Sequence, residues 1–301
     1  DSKIKNAGNI NIKDGATGSM GIRVGSTTAT NMSNEGGTIT ISSKDGNNMG
    51  VYSEDAPFDN KGAIKVEGKN GNIGMYSTQG LGRNYGTIEV GKTNTSTAEY
   101  GIGMATGYYN ENTRSVTNQG TIVNNGTINV TKDGSIGMYA VGSGSIAINS
   151  ATGVINLDGN NTTGMYIDKN AVGMNYGTIQ TVANSSGTGI IGVVVANGGI
   201  IKNYGQIIIS GNGNVGIYKQ NANPSSVMEG ETDPVTGARG TITATNGAKK
   251  TGTPNTDTSK KIKGLEIQAR GLSPVVIKRN NIVVTPDTVD TVAATPQPNY
   301  V

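Results

Sequence analysis

Short apolar pairs separated by one polar residue recur along the chain, each opened by a glycine. The pattern Gly-x-Ile-x-Val runs from Gly8 to Ile12, Gly37 to Ile41, Gly62 to Val66, Gly86 to Val90 and Gly126 to Val130. It continues from Gly153 to Leu157, Gly177 to Thr181, Gly205 to Ile209 and, with weaker apolar character, Gly240 to Ala244. Neighbouring glycines lie mostly about 24 to 29 residues apart, the spacing of a structural repeat. Residues two apart in a strand share a face, so the Ile and Val of each copy point one way. The residues between them, Asn11, Thr40, Lys65, Glu89, Asn129, Asn156 and Gln180, point the other way and are polar. The pattern therefore predicts an interior stack of Ile10, Ile39, Ile64, Ile88, Ile128, Ile155, Ile179 and Ile207.

A second motif, x-Gly-Met-Tyr, follows each first one by roughly a dozen residues. Its clearest copies are Ile73 to Tyr76, Ile136 to Tyr139 and Thr163 to Tyr166, with variants at Met49 to Tyr52, Ile102 to Ala105 and Val215 to Tyr218. A looser third segment, such as Ser145 to Asn149 or Gly199 to Asn203, precedes the next turn. Three short strands per repeat, separated by Gly, Asn and Asp turns, predict an all-β fold: a right-handed parallel β-helix, or β-solenoid, of about nine coils with inserted loops. The handedness follows from the crossover rule. At one strand spacing per coil the rod is on the order of 40 Å long. Regular coils are expected over residues 1–218, an irregular continuation with long loops over 219–284, and a Pro- and Thr-rich linker or fragment end over 285–301.

Composition sharpens this reading. With 34% hydrophobic and 4% aromatic residues against 47 glycines, burial depends on a few Ile, Val and Met recurring in register. A net charge of +3 over 301 residues makes no strong field, which argues against a nucleic-acid partner. The chain has no Cys, so disulfides and thiolate chemistry are excluded, and no His, so the usual general base is missing. An enzyme is not expected, nor are cofactors or metals. Asp14, Asp45, Asp133 and Asp158 each precede Gly, but one carboxylate per coil is too few for a calcium site, and Asx turns explain them. No apolar run reaches membrane-spanning length. The start, Asp1 to Lys5, lacks the apolar stretch of a signal peptide and lies inside the repeat, as in a piece of a longer protein.

The Asn before the turn glycine, at positions 6, 60, 84, 124, 175 and 203, is read as a stacked amide ladder. Met75, Met104, Met138 and Met165 are read as core filling. Strict alternation places Tyr52, Tyr76, Tyr139, Tyr166 and Tyr218 on the outside of the rod, opposite Ile and Met. There they either stack on sugars or anchor a partner, or pack on one another between coils. Tyr85, Tyr176 and Tyr204 fall inside Asn-Tyr-Gly turns. Binding residues concentrate on loops carried by rigid scaffolds. Three insertions qualify: Gly91 to Tyr100 together with Gly107 to Arg114, Lys219 to Arg239, and Lys249 to Lys263. The candidate ligand-binding residues are Tyr108, Tyr109 and Arg114 on the first insertion, and Tyr76, Tyr139 and Tyr166 on the rod.

The paired motif, seen in Asn84 to Val90 with Ile73 to Tyr76 and again in Asn124 to Tyr139, resembles the passenger domains of large fusobacterial type Va autotransporter adhesins of the RadD type. The resemblance covers about residues 6 to 218. It implies a type V secretion passenger on a Gram-negative surface, meeting host-cell or bacterial surface proteins or glycans. It also implies membrane attachment only through a C-terminal translocator that this sequence lacks. A monomer is expected. The functional reading is adhesion, with a structural stalk or a polysaccharide-degrading β-helix enzyme as alternatives.

Overall fold

The computed structural model describes residues 3–25, 32–43, 46–67, 71–91, 101–110, 112–252, 261–262 and 282–283. Asp45, the loop after Gly91, most of the Lys249 to Lys263 stretch, most of the continuation expected up to residue 284 beyond Gly252, and the tail from Thr285 lie outside the described residues.

The chain winds through three parallel sheets of eight, nine and nine strands, visiting first, second and third sheet in turn. The second sheet holds the Gly-x-Ile-x-Val strands, and its register stacks Ile10, Ile39, Ile64, Ile88, Ile128, Ile155, Ile179, Ile207 and Ile242 in one column. From Ile39 onward that column is fully or almost fully buried. Each such side chain contributes roughly 2–3 kcal/mol of hydrophobic burial. Polar outer residues of the same strands bond along the rod axis: Gln180 donates to Asn156 Oδ1 and Asn156 to Asn129 Oδ1, both at 2.9 Å.

The expected coil number is corrected. Counting coils by their second-sheet strand, from Asn9–Ile12 as the first to Thr241–Thr245 as the ninth, only coils two to eight have three strands of at least three residues. Seven complete coils rise about 34 Å. The first-sheet strand of coil one is only Lys5–Asn6, paired with the first-sheet strand of coil two. Coil nine has no first-sheet strand; there the insertion that follows Gln220 passes, pairing with the sheet at one parallel bridge, Lys202 with Val227, and accepting the Ile201 N–H on the Ser226 hydroxyl at 3.2 Å.

The corner between first and second sheets is built by the asparagines. Asn6, Asn34, Asn60, Asn84, Asn124, Asn149, Asn175 and Asn203 form a chain in which each Nδ2 donates to the next Oδ1 at 2.7–2.9 Å. Asn34 onward is wholly buried, so every amide needs its neighbours. The last member, Asn203, donates instead to the Met228 carbonyl at 2.8 Å, so the insertion expected as a loop caps the ladder.

Candidate functional site

The third sheet differs from the second in having apolar residues on both faces. In Ile136-Gly137-Met138-Tyr139 the ideal Cβ direction of Gly137 meets Ile155 and Val130 of the interior, and Met138 also lies in the interior cluster. Two consecutive residues thus face inward, and the alternation slips by one. A glycine is needed at the slip, since a Cβ on Gly137 would sit 2.7 Å from the Gly164 carbonyl oxygen of the next coil. Ile136 and Tyr139 therefore share the outer face, in a separate cluster with Met49, Tyr52, Ile73, Tyr76, Ile102, Tyr166, Ile191, Val194, Val215 and Tyr218.

This corrects the expectation for the tyrosine row. Tyr76, Tyr139 and Tyr166 do point away from the interior, but they are 0–1% exposed, as is Tyr218, while Tyr52 is 3% exposed. Ile73 and Ile136 lie on the tyrosine side, not opposite it. The rings pack between coils: Tyr52 on Tyr76 with centroids 5.7 Å apart, and Tyr139 on Tyr166 at 5.2 Å. Burial pushes the Tyr52 and Tyr218 hydroxyls up to about 12 and the Tyr76 hydroxyl higher still. These groups form an outer core and offer no open aromatic row.

Against that outer core lies the insertion with the candidate residues Tyr108, Tyr109 and Arg114. It is an antiparallel hairpin, Tyr108–Asn110 paired with Ser115–Thr117, inserted between the fourth and fifth coils. Gly107 opens it at φ 84°, and its N–H bonds to the Asn118 carbonyl at 3.0 Å. Tyr76 reaches out of the third sheet to donate from its hydroxyl to the Gly107 carbonyl at 3.1 Å. Tyr108 and Tyr109 are half-buried against the outer cluster, and Lys169 of coil six places its ammonium 4.6 Å from the centroid of the Tyr109 ring. Val116 presses on Gly142 of coil five.

The described residues of the hairpin tip, Asn112, Thr113 and Arg114, are exposed. Asn110 Oδ1 accepts the N–H groups of Asn112 at 2.9 Å and Thr113 at 3.2 Å, an Asx turn. Arg114 stands in left-handed backbone at φ 53° with its side chain in solvent. The structure thus brings Tyr108 and Tyr109 together with Tyr76 and separates them from Arg114, which is the accessible member. Sequence reasoning missed Lys169, an isolated turn residue with nothing nearby to mark it, and Asn110, whose Asx role shows only once the hairpin register is known.

The arrangement suits recognition through a guanidinium, amides and hydroxyls. Among the described residues no group of three or more His, Cys, Asp or Glu stands close enough to hold a metal. Several described carboxylates are held by cations: Glu35 by Lys61 at 2.8 Å, Asp59 by Arg83 at 2.6 Å and Glu229 by Lys250 at 2.8 Å.

A rod of parallel coils carrying an inserted hairpin defines the chain as a parallel β-solenoid. Residues 1–175 match the family model of the BigA third pectate lyase-like domain, and the chain belongs to that family of bacterial surface-protein domains. The match supports the β-helix, passenger-like protein that the resemblance implied, without singling out the fusobacterial RadD type. No curated protein and no solved structure matches the chain.

Proposed function

We propose that this chain is a surface-displayed passenger segment that acts in adhesion, by binding and without turnover, and that the tip of the hairpin makes the contact. The observation that carries this reading is the hairpin itself: a regular, self-stacking rod interrupts its repeat to hold Asn112, Thr113 and Arg114 in solvent on an aromatic base. Its placement follows the general tendency of recognition residues to sit on loops braced by a rigid frame. Membership of a family of bacterial surface-protein domains supports the location. An enzyme of this fold acting on sugars would need two free carboxylates across a cleft, whereas the described hairpin carries Arg114 and leans on Lys169.

The test uses Arg114→Gly. At φ 53° glycine is the favoured residue, so the substitution removes the guanidinium while relieving the backbone. Binding of the whole chain to bacterial and epithelial cells is expected to fall severalfold for Arg114→Gly and further when Asn112 and Thr113 are also changed to Ala, with the thermal midpoint unchanged. Cell binding that ignores all three substitutions would move recognition elsewhere on the rod, and absence of binding by the intact chain would make it a stalk.

A further inference from the structure

The corner that carries the buried asparagine ladder has an outer edge formed by the residue after each ladder Asn. Seven residues share this position, each donating its backbone N–H to the ladder Asn carbonyl of the preceding coil: Glu35, Lys61, Tyr85, Asn125, Ser150, Tyr176 and Tyr204. The turn itself needs no aromatic there, since Glu35, Lys61, Asn125 and Ser150 make the same backbone bond at 2.7–2.9 Å. Yet Tyr85 is 46% exposed, one of three exposed large hydrophobic residues among those described.

Both aromatic positions are braced from the side. The Arg83 guanidinium lies 5.9 Å from the Tyr85 ring centroid and is itself fixed by two bonds to Asp59, at 2.6 and 3.0 Å. Tyr176, half-buried, stacks on Tyr204 with centroids 5.7 Å apart and planes 28° from parallel. Tyr85 stands in coil four and Tyr176 in coil seven, so three coil steps, about 14 Å, separate the two rings. Asn125 and Ser150 occupy the interval at one coil rise each, with Thr152 beside them donating to the Asn125 carbonyl at 2.9 Å.

We infer that this edge is a binding ridge for a neutral oligosaccharide lying along the rod axis, with a sugar ring on Tyr85, another on Tyr176, and the intervening hydroxyls meeting Asn125, Ser150 and Thr152. Preset aromatic faces suit the C–H faces of pyranose rings, and short polar side chains between them suit equatorial hydroxyls. The coil rise is close to the advance per unit of an extended glycan, which puts one sugar on each coil. Neutrality follows from the charges: beside Tyr85 the cations Lys61 and Arg83 are engaged by Glu35 and Asp59, and the charge felt at Tyr176 and Tyr204 is the carboxylate of Asp233, which disfavours an acidic sugar. The ridge and the hairpin lie on different edges of the rod, so this site does not depend on the hairpin's role in adhesion.

The experiment is isothermal titration and saturation-transfer NMR on the full chain with neutral hexose and N-acetylhexosamine oligomers of two to six units, and with sialylated counterparts. Affinity is expected to rise as the oligomer becomes long enough to span both aromatics and to fall by about tenfold for either Tyr85→Ala or Tyr176→Ala, a loss typical of one stacking contact. Tyr85→Trp should retain binding, and Arg114→Gly should leave it untouched. Failure of every neutral oligomer to bind, equal binding of the sialylated set, or affinity indifferent to both alanine variants would overturn the proposal, whatever the cell-binding result.

Discussion

An ideal Cβ on Gly86 would lie 2.0 Å from the carbonyl oxygen of Gly62, one coil below. The same closeness recurs at Gly126 above Gly86 and at Gly205 above Gly177, at 2.2 Å each. The turn glycine is thus required by backbone stacked directly on backbone. Gly86→Ala should cost about 1–3 kcal/mol or more, as overpacking does. Gly8, with no atom within 4 Å of its Cβ direction, is the control. Gly8→Ala should be neutral or gain up to about 1 kcal/mol from a stiffer unfolded chain. Urea midpoints of the two variants decide this, and equal midpoints would reject it. The recurrence of these glycines was plain in the sequence; their cause was not, since it is a contact between residues about one coil apart. The ladder was partly legible for a related reason. Asn34 and Asn149 stand three and four places before the strand-opening Gly37 and Gly153, against two in the other copies, while their amides keep the register.

At the level of the strand, the second and third sheets obey different rules although both read as short apolar segments. In Thr87–Val90 alternation holds, and Glu89 faces water. In Asn72–Thr78 the inward pair Gly74 and Met75 reverses the outcome for Ile73, and the whole strand is buried. Alternation counted through a glycine therefore gave the right side for Tyr76 and the wrong exposure, because nothing in a strand's own sequence announces that its outer face is covered. The covered face has a titration signature. Tyr52 and Tyr218 carry hydroxyls raised from 10.0 to about 12 by burial. Below pH 10 they are neutral in both folded and unfolded chains, and their contribution is complete. Between 10 and about 12 the unfolded chain releases these protons and the folded one does not, so stability drains away as pH rises. Tyrosinate absorbance should resolve an early and a late group, and the thermal midpoint should decline across that window. A single titration near 10 with the fold intact would show the outer core to be open to solvent.

For the molecule as a whole, stacking along one axis means that each coil contacts chiefly its two neighbours, so the position of a defect along the rod matters as much as its size. Ile128 in coil five and Ile242 in coil nine occupy the same column, at 0% and 2% exposure. A local ledger would score Ile128→Ala and Ile242→Ala alike, each at about 2–5 kcal/mol for a buried methyl-rich side chain. The stack predicts otherwise. Ile242 has a packed coil on one side only, among the described residues, so its loss should loosen coil nine and the hold of Glu229 on Lys250 while the remaining coils keep their midpoint. Ile128 has complete coils on both sides, and its loss should weaken two interfaces at once and lower the main transition. Hydrogen exchange followed by peptide would read this directly. Faster exchange confined to residues 241–252 is expected in the first variant, and faster exchange on both sides of Thr127–Val130 in the second. The central coils also bear both the hairpin and the span from Tyr85 to Tyr176, so the second variant alone should blur the spacing of those two sites. If the two substitutions gave the same exchange pattern, the rod would have to unfold as a single unit, and the independence of its edges would be lost with it.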